Sequence, residues 1–135
     1  MIRYLLDTNA ISHALRKALP DFNDRFEQID RADMAVSVIT EAELLFGLAR
    51  RPEARTLAST VAALLEKITI LPWTSACAAH YAAIRAALEI AGRPMSVMDM
   101  MIAAHALAED AILVTNDAAF RRIDRLRLED WTQSL

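Results

Sequence analysis

Leu5-Leu6-Asp7-Thr8-Asn9 is the stretch that decides how this 135-residue chain folds. The short apolar segment 2–6 predicts a buried strand, and an acid, a hydroxyl and an amide follow it directly. The amphipathic segment 10–16 then predicts a helix. A carboxylate between a buried strand and a helix lies where α/β sheets bind their ligands. Taken alone, however, Asp7 is better explained as the N-cap of that helix.

Strand and helix patterns alternate along the rest of the chain. The predicted strands are 2–6, 34–38, 68–71, 111–114 and a small edge strand at 126–128, and the predicted helices are 10–16, 20–30, 40–50, 53–67, 75–91, 96–109 and 118–123. Such alternation predicts parallel pairing with right-handed crossovers. Because no linker, internal repeat or low-complexity tract interrupts the pattern, we predict one domain over 1–135. We expect a three-layer α/β/α domain with a central parallel sheet of four to five strands.

Composition excludes several classes of protein. No apolar run approaches the roughly 20 residues of a membrane span, and we expect no export signal. The single Cys77 cannot form an internal disulfide and fits a reducing cytoplasm. The net charge of −3 argues against a passive nucleic-acid coat but leaves room for local basic patches. An apolar fraction of 55% exceeds that of average soluble domains and hints at a face covered by a partner or a second copy.

Three further acids stand at the starts of predicted helices. Glu43 follows the second strand, Asp99 opens the helix before the fourth strand, and Asp117 follows that fourth strand. Helix capping explains each acid singly, because Thr40-x-x-Glu43 and Ser96-x-x-Asp99 are spaced as capping boxes and Asp117 is a natural N-cap. Capping does not explain why four acids occupy such positions in one small sheet.

A shared pocket would explain the four acids together. Like charges there raise one another's pKa unless a cation neutralises them. The candidate ligands are carboxylate oxygens, and no pair of His or Cys residues has the spacing of metal ligands. Such a set favours Mg²⁺, with Mn²⁺ as a substitute. Such an ion activates water and stabilises the charge of an attacked phosphodiester, which is the chemistry of a nuclease.

Helix geometry selects one acid from the pair Glu41 and Glu43. Residues two apart lie about 200° apart around a helix axis, so both cannot face one pocket. Gly47 comes four residues after Glu43 and leaves open space beside it. We therefore choose Glu43.

Four segments recur in the order and spacing of a known family: Leu5-Leu6-Asp7-Thr8-Asn9; Ser37-Val38-Ile39-Thr40-Glu41-Ala42-Glu43-Leu44-Leu45-Phe46-Gly47; Gly92-Arg93-Pro94 with Asp99-Met100-Met101-Ile102-Ala103-Ala104-His105-Ala106; and Val114-Thr115-Asn116-Asp117 with Phe120. Together they resemble PIN-domain proteins, and among these the VapC toxins of bacterial type II toxin–antitoxin pairs. The resemblance spans essentially the whole chain, through the closing segment 126–131.

This resemblance implies a PIN fold and a Mg²⁺-dependent endoribonuclease that acts as a cytoplasmic toxin. It implies a cognate antitoxin that inhibits the enzyme by inserting a segment near the acidic pocket, contact with operator DNA only through that antitoxin, and a homodimer. The family's catalytic and metal-binding acids fall on Asp7, Glu43, Asp99 and Asp117, and its supporting polar residues fall on Asn9, Thr115 and Asn116. The match at position 117 is looser, because relatives often carry Asn or another residue there.

The expected reaction is an in-line attack by a metal-activated water. Glu43 or Asp117 would orient or deprotonate that water, giving a 3′-hydroxyl and a 5′-phosphate. Basic clusters near 50–55 and 121–127 offer phosphate contacts, and the RNA-binding candidates are Arg50, Arg51, Arg121 and Arg122. The alternative for these arginines is a solvated face paired with Glu53 or Asp124.

Two other functions compete with the nuclease. A phosphoryl-transfer enzyme with Asp7 as nucleophile normally has a second acid two residues later, where this chain has Asn9. A PIN-like module that acts with its partner mainly as a DNA-binding autorepressor would need no nuclease activity. The sequence does not select among transfer, ribosomal and messenger RNA as the target.

Overall fold

A computed structural model describes residues 1–133 of the chain. Strands and helices alternate, as the sequence predicts, and two short 3-10 helices (Arg31–Asp33 and Ala118–Arg122) are inserted between them. In chain order the other elements are β1 (Tyr4–Leu6), α1 (Thr8–Arg16), α2 (Pro20–Gln28), β2 (Met34–Ser37), α3 (Val38–Ala49), α4 (Arg55–Lys67), β3 (Thr69–Leu71), α5 (Ser75–Ile90), α6 (Val97–Ala108), β4 (Ile112–Val114) and β5 (Leu128–Glu129).

The five strands form one parallel sheet in the order β3-β2-β1-β4-β5. The central strand β1 pairs Leu5 with Ala35 of β2 on one side and with Leu113 of β4 on the other. The predicted three-layer α/β/α architecture is confirmed. Since all strands run in one direction, the carboxyl ends of β1, β2 and β4 lie at the same edge of the sheet.

Side-chain alternation along β1 separates the two faces of the sheet. Leu5 packs with buried residues of α5 and α6, such as Ile84 and Ile102. Tyr4 and Leu6 point the other way into a core that includes Phe22 and the closing Trp131. Buried apolar side chains on both faces require a helical layer on each side, which is the three-layer arrangement.

Two element boundaries differ from the predictions in ways that matter for the site. Helix α3 begins at Val38 rather than at residue 40, because the Oγ of Ser37 accepts the backbone N–H of Ile39 and caps the helix. Thr40 is therefore a fully buried residue of the first turn, and the predicted Thr40–Glu43 capping box is wrong. The edge strand is Leu128–Glu129 instead of 126–128, since its residues pair with Leu113 and Val114 of β4.

The remaining boundaries agree with the predictions to within two residues. Helix α5 ends just before Gly92, whose φ of 65° requires the left-handed conformation that glycine adopts easily. Cys77 is a free thiol buried in the core. Within residues 1–133, no helix combines the length and apolarity needed to cross a membrane.

Candidate active site

Asp7 lies at the carboxyl end of the central strand β1 and is almost fully buried, with 4% of its surface exposed. Its backbone N–H continues the sheet by donating to the carbonyl of Val114 at 3.1 Å. Its carboxylate accepts the backbone N–H of Ala10 at 2.8 Å and so caps α1. Asp7 is thus a helix cap, and the same contact fixes its carboxylate at the sheet edge.

The end of the neighbouring strand β4 supplies the next polar groups. The hydroxyl of Thr115 lowers the pKa of the Asp7 carboxyl, and it accepts the backbone N–H of Asp117 at 3.0 Å. The carboxylate of Asp117 in turn accepts the N–H of Ala119 at 2.9 Å and caps the short 3-10 helix there. Thr115 therefore acts on the Asp7 carboxyl and also holds the backbone of Asp117.

The pKa values show that three of the four predicted acids share one electrostatic environment. Burial raises the pKa of Asp7 from 3.8 to about 6, the negative charges of Asp99 and Asp117 add to the rise, and the hydrogen bonds from Thr115 and Ala10 oppose it. Burial also raises the pKa of Asp99, with a further contribution from Asp117. Carboxylates that raise one another's pKa in this way create a strong preference for a cation.

Asp99 reaches the site from the first turn of α6. Its backbone N–H donates to the Oγ of Ser96 at 3.1 Å, so half of the predicted capping box is present. Two contacts hold α6 in place: the indole N–H of Trp73 donates to the carbonyl of Met101 at 3.0 Å, and the fully buried His105 places Nδ1 2.7 Å from the Oγ of Ser37. The second contact ties α6 directly to the cap of α3.

Glu43 is half-buried on the second turn of α3. The hydroxyl of Thr8 donates to its Oε1 at 2.6 Å, which links α3 to the first residue of α1. Thr8 was not among the predicted site residues. Its only sequence signal is a hydroxyl directly after Asp7, and a threonine at a helix start is more commonly a local capping residue.

The other predicted polar residues lie farther out. Asn9 is exposed, and its side chain makes no hydrogen bond within the described part of the chain. Asn116 is exposed with its Nδ2 3.4 Å from Nε2 of His13. Neither Asn9 nor Asn116 contacts an acid of the site in this structure.

The four predicted arginines are all exposed. Arg122 donates to the carbonyl of Pro94 at 2.9 Å. Within residues 1–133, neither Arg50 nor Arg51 pairs with Glu53, and neither Arg121 nor Arg122 pairs with Asp124. The alternative expectation, that Glu53 or Asp124 pairs with these arginines, is therefore not met in the described residues.

The donor set fits a hard cation held by few protein ligands. Within residues 1–133, no group of three or more His, Cys, Asp and Glu side chains is positioned to hold a metal together. Mg²⁺ commonly takes only one or two carboxylates and completes its octahedron with water and substrate phosphate oxygens. The buried carboxylate of Asp7 and the half-buried carboxylate of Asp99, which repel each other, meet that requirement.

Two shallow cavities flank the acids. One, of about 300 Å³, extends from Thr8 and Glu43 to Arg50 and Arg51. The other, of about 180 Å³, is lined by Thr115, Asn116, Asp117 and Arg121, among others. A larger cavity of about 590 Å³ lies between α5 and the segment 122–125 and contains none of the four acids.

The match to a family follows from both sequence and structure. The PIN domain sequence model matches residues 4–126. The chain belongs to the PIN-domain family. It is 32% identical over 133 residues to the tRNA(fMet)-specific endonuclease VapC of Shigella flexneri, covering 98% of this chain and 100% of that relative. It is also 35% identical to Ribonuclease VapC2 of Haemophilus influenzae, covering 97% and 99%.

A solved structure of a VapC relative agrees. The crystal structure of DNA-bound VapBC from Salmonella typhimurium contains a chain that superposes with a TM-score of 0.90 at 30% identity, covering 97% of this chain and 99% of that one. Within the PIN family the chain is therefore a VapC protein, and the resemblance read from its sequence is confirmed.

Proposed function

We propose that this VapC-family protein is a Mg²⁺-dependent endoribonuclease and the toxic component of a type II toxin–antitoxin pair. The observation that carries the proposal is the buried Asp7 carboxylate, whose pKa is raised to about 6 among Asp99 and Asp117. Ionising a buried acid beside two other acids lowers the stability of the fold unless a cation binds there. Relatives named as ribonucleases share the family and nearly the full length.

Each acid has a distinct part in the proposed reaction. Asp7 and Asp99 hold the Mg²⁺ ion, for which Mn²⁺ is the natural substitute. When bound, the ion supplies charge neutralisation and an activated water for in-line hydrolysis of the phosphodiester. The hydroxyl of Thr8 donates to the Glu43 carboxylate, and the backbone N–H of Ala119 donates to the Asp117 carboxylate, so either carboxylate is oriented to accept the proton of the attacking water. The products are a 3′-hydroxyl and a 5′-phosphate.

RNA reaches the acids through the exposed arginines. Arg50 and Arg51 flank the cavity at Glu43, and Arg121 flanks the cavity at Asp117. Together with Arg122 they bind phosphate groups and position the strand without reading its sequence. The relative from Shigella flexneri is named for tRNA(fMet), so that transfer RNA is the first substrate to test.

The proposed partners follow from the structural neighbours. Similar chains occur in crystal structures of VapBC, two of them bound to DNA. They support the proposal of a cognate antitoxin that inhibits the enzyme and through which the pair contacts operator DNA. Exposed Leu45, Val97 and Met98 support a homodimer. The buried free thiol of Cys77 is compatible with the cytoplasm. Co-purification with the adjacent gene's product and sedimentation of the free protein test these assignments.

Expression in a bacterial host tests the proposed function. Wild-type protein is expected to arrest growth, and Asp99→Asn is expected to abolish the arrest while the purified variant keeps its circular dichroism spectrum. Asp124→Asn is the matched control, because Asp124 is an exposed acid outside the site. Arrest by a folded Asp99→Asn protein would favour the non-enzymatic autorepressor. Mapping RNA 5′-ends after induction then identifies the target.

A further inference from the structure

Gly47 lies in the last turn of α3, two residues before the helix ends at Ala49. A glycine inside a helix is less favourable than alanine, because its backbone loses more freedom on folding. Its φ is not in the left-handed region, and a Cβ built there would meet no atom within 4 Å. Neither backbone conformation nor packing within residues 1–133 therefore accounts for the missing side chain.

The open space over Gly47 belongs to a groove that begins at the proposed active site. Glu43, Gly47 and Arg50 are spaced four and three residues apart, so they lie in one line along α3. The groove has a volume of about 300 Å³. Its walls are polar at Thr8 and Ser12 of α1 and otherwise apolar, with Leu15 of α1, Leu44 and Leu48 of α3, and Leu57 and Val61 of α4. We name it the Gly47 groove. It runs about 10 Å along the helix from Glu43 to Arg50, at 1.5 Å per residue.

The far end of the Gly47 groove is basic, and an exposed aromatic ring lies beside it, outside the groove lining. Arg50 and Arg51 are exposed and make no ion pair within the described part of the chain. The Arg50 guanidinium lies 5.4 Å from the ring centroid of Phe46, which is 63% exposed. Unpaired cations beside an exposed ring are the features with which proteins hold single-stranded nucleic acid.

We propose that the Gly47 groove binds single-stranded RNA on its way to the acids. A phosphate contacts Arg50 and Arg51, and the sugar-phosphate backbone passes over bare Gly47 toward Glu43. Gly47 is then a positioning residue, since any side chain there would occupy the path of the strand. RNA suits this groove, because the arginines at one end attract its phosphates and the other end opens at Glu43, one of the acids proposed to cleave it. The inference rests on the proposed ribonuclease function.

Substitutions at Gly47 separate this role from a structural one. Gly47→Ala is expected to raise the Tm of the metal-free protein by about 2–4 °C through helix propensity while raising KM for RNA about threefold. Gly47→Leu is expected to raise KM at least tenfold at little change in kcat. Ala62→Leu is the matched control, because Ala62 is an exposed helical residue of α4 outside the groove; its KM should equal that of wild type.

Three results would overturn the inference. The first is a folded Gly47→Leu protein with wild-type KM. The second is a Gly47→Leu protein that loses antitoxin binding at unchanged KM, which would make the occupant a peptide. The third is an equal rise of KM in Ala62→Leu. Failure of the proposed function is distinguishable, because wild-type protein would then cleave no RNA at all.

Discussion

Replacing Asp7 by asparagine should stabilise the metal-free protein at neutral pH. The carboxylate is 4% exposed, and burial is the largest cause of its raised pKa. Asparagine keeps an oxygen that accepts the N–H of Ala10, so the cap of α1 survives. The substitution therefore removes the buried charge and little else.

The magnitude follows from the pKa shift. A rise from 3.8 to about 6 means that ionising Asp7 costs the folded state about 3 kcal/mol, at 1.36 kcal/mol per pKa unit. For an acid with a raised pKa, the folded state binds the proton more tightly than the unfolded state does. The Asp7 contribution to stability is thus fully present below pH 4, falls as the pH rises from about 4 to about 6, and is constant above that.

Urea denaturation in EDTA at several pH values measures this effect. The free energy of unfolding of Asp7→Asn should exceed that of wild type by about 2–3 kcal/mol at pH 7.5 and by less than about 0.5 kcal/mol near pH 3.5. Mg²⁺ should then stabilise wild type and leave the variant unchanged, because ligands that bind only the native state raise its stability. A variant less stable than wild type at pH 7.5, or a pH-independent difference, would refute the reasoning.

Three further substitutions test other contacts. Thr8→Val removes the 2.6 Å bond to Glu43 and should lower kcat about tenfold with a Tm change under about 4 °C; steady-state cleavage checks this, with Thr8→Ser as the control that retains activity. His105→Ala leaves a cavity and removes one of the two hydrogen bonds of the Ser37 hydroxyl, so urea denaturation should show a loss of about 2–4 kcal/mol. A loss below about 1 kcal/mol would contradict the role given to this contact. Trp131→Ala should lose about 3–5 kcal/mol in the same assay, because the ring lies 5.3 Å from Tyr4 and 5.8 Å from Phe22; a near-neutral result would mean that this contact is not part of the core.

Much of the fold was predictable because local patterns and tertiary structure agree. Buried apolar segments, each followed by a helical period, specify the parallel sheet without knowledge of its strand order. The start of α3 was mispredicted, because Thr40-x-x-Glu43 has the spacing of a capping box while Ser37 is the residue whose hydroxyl caps the helix. Ser37 and Thr40 are both possible N-cap residues, and only the position at which β2 ends decides between them.

The clustering of three acids was predictable from the sequence, and the contacts that support them were less so. Asp7, Asp99 and Asp117 interact electrostatically as their sequence positions indicate. The contacts from Thr8 to Glu43 and from His105 to Ser37 join residues 35 and 68 positions apart. Pairings over such separations depend on how helices pack across the sheet edge, and no local spacing reveals them.

Cleavage of a defined RNA by purified, antitoxin-free protein tests the central claim most directly. Cleavage is expected to require Mg²⁺ or Mn²⁺, to stop in EDTA, to fall at least a hundredfold in Asp99→Asn and to leave 5′-phosphate and 3′-hydroxyl ends. EDTA-resistant cleavage, or a 2′,3′-cyclic phosphate product, would contradict the claim.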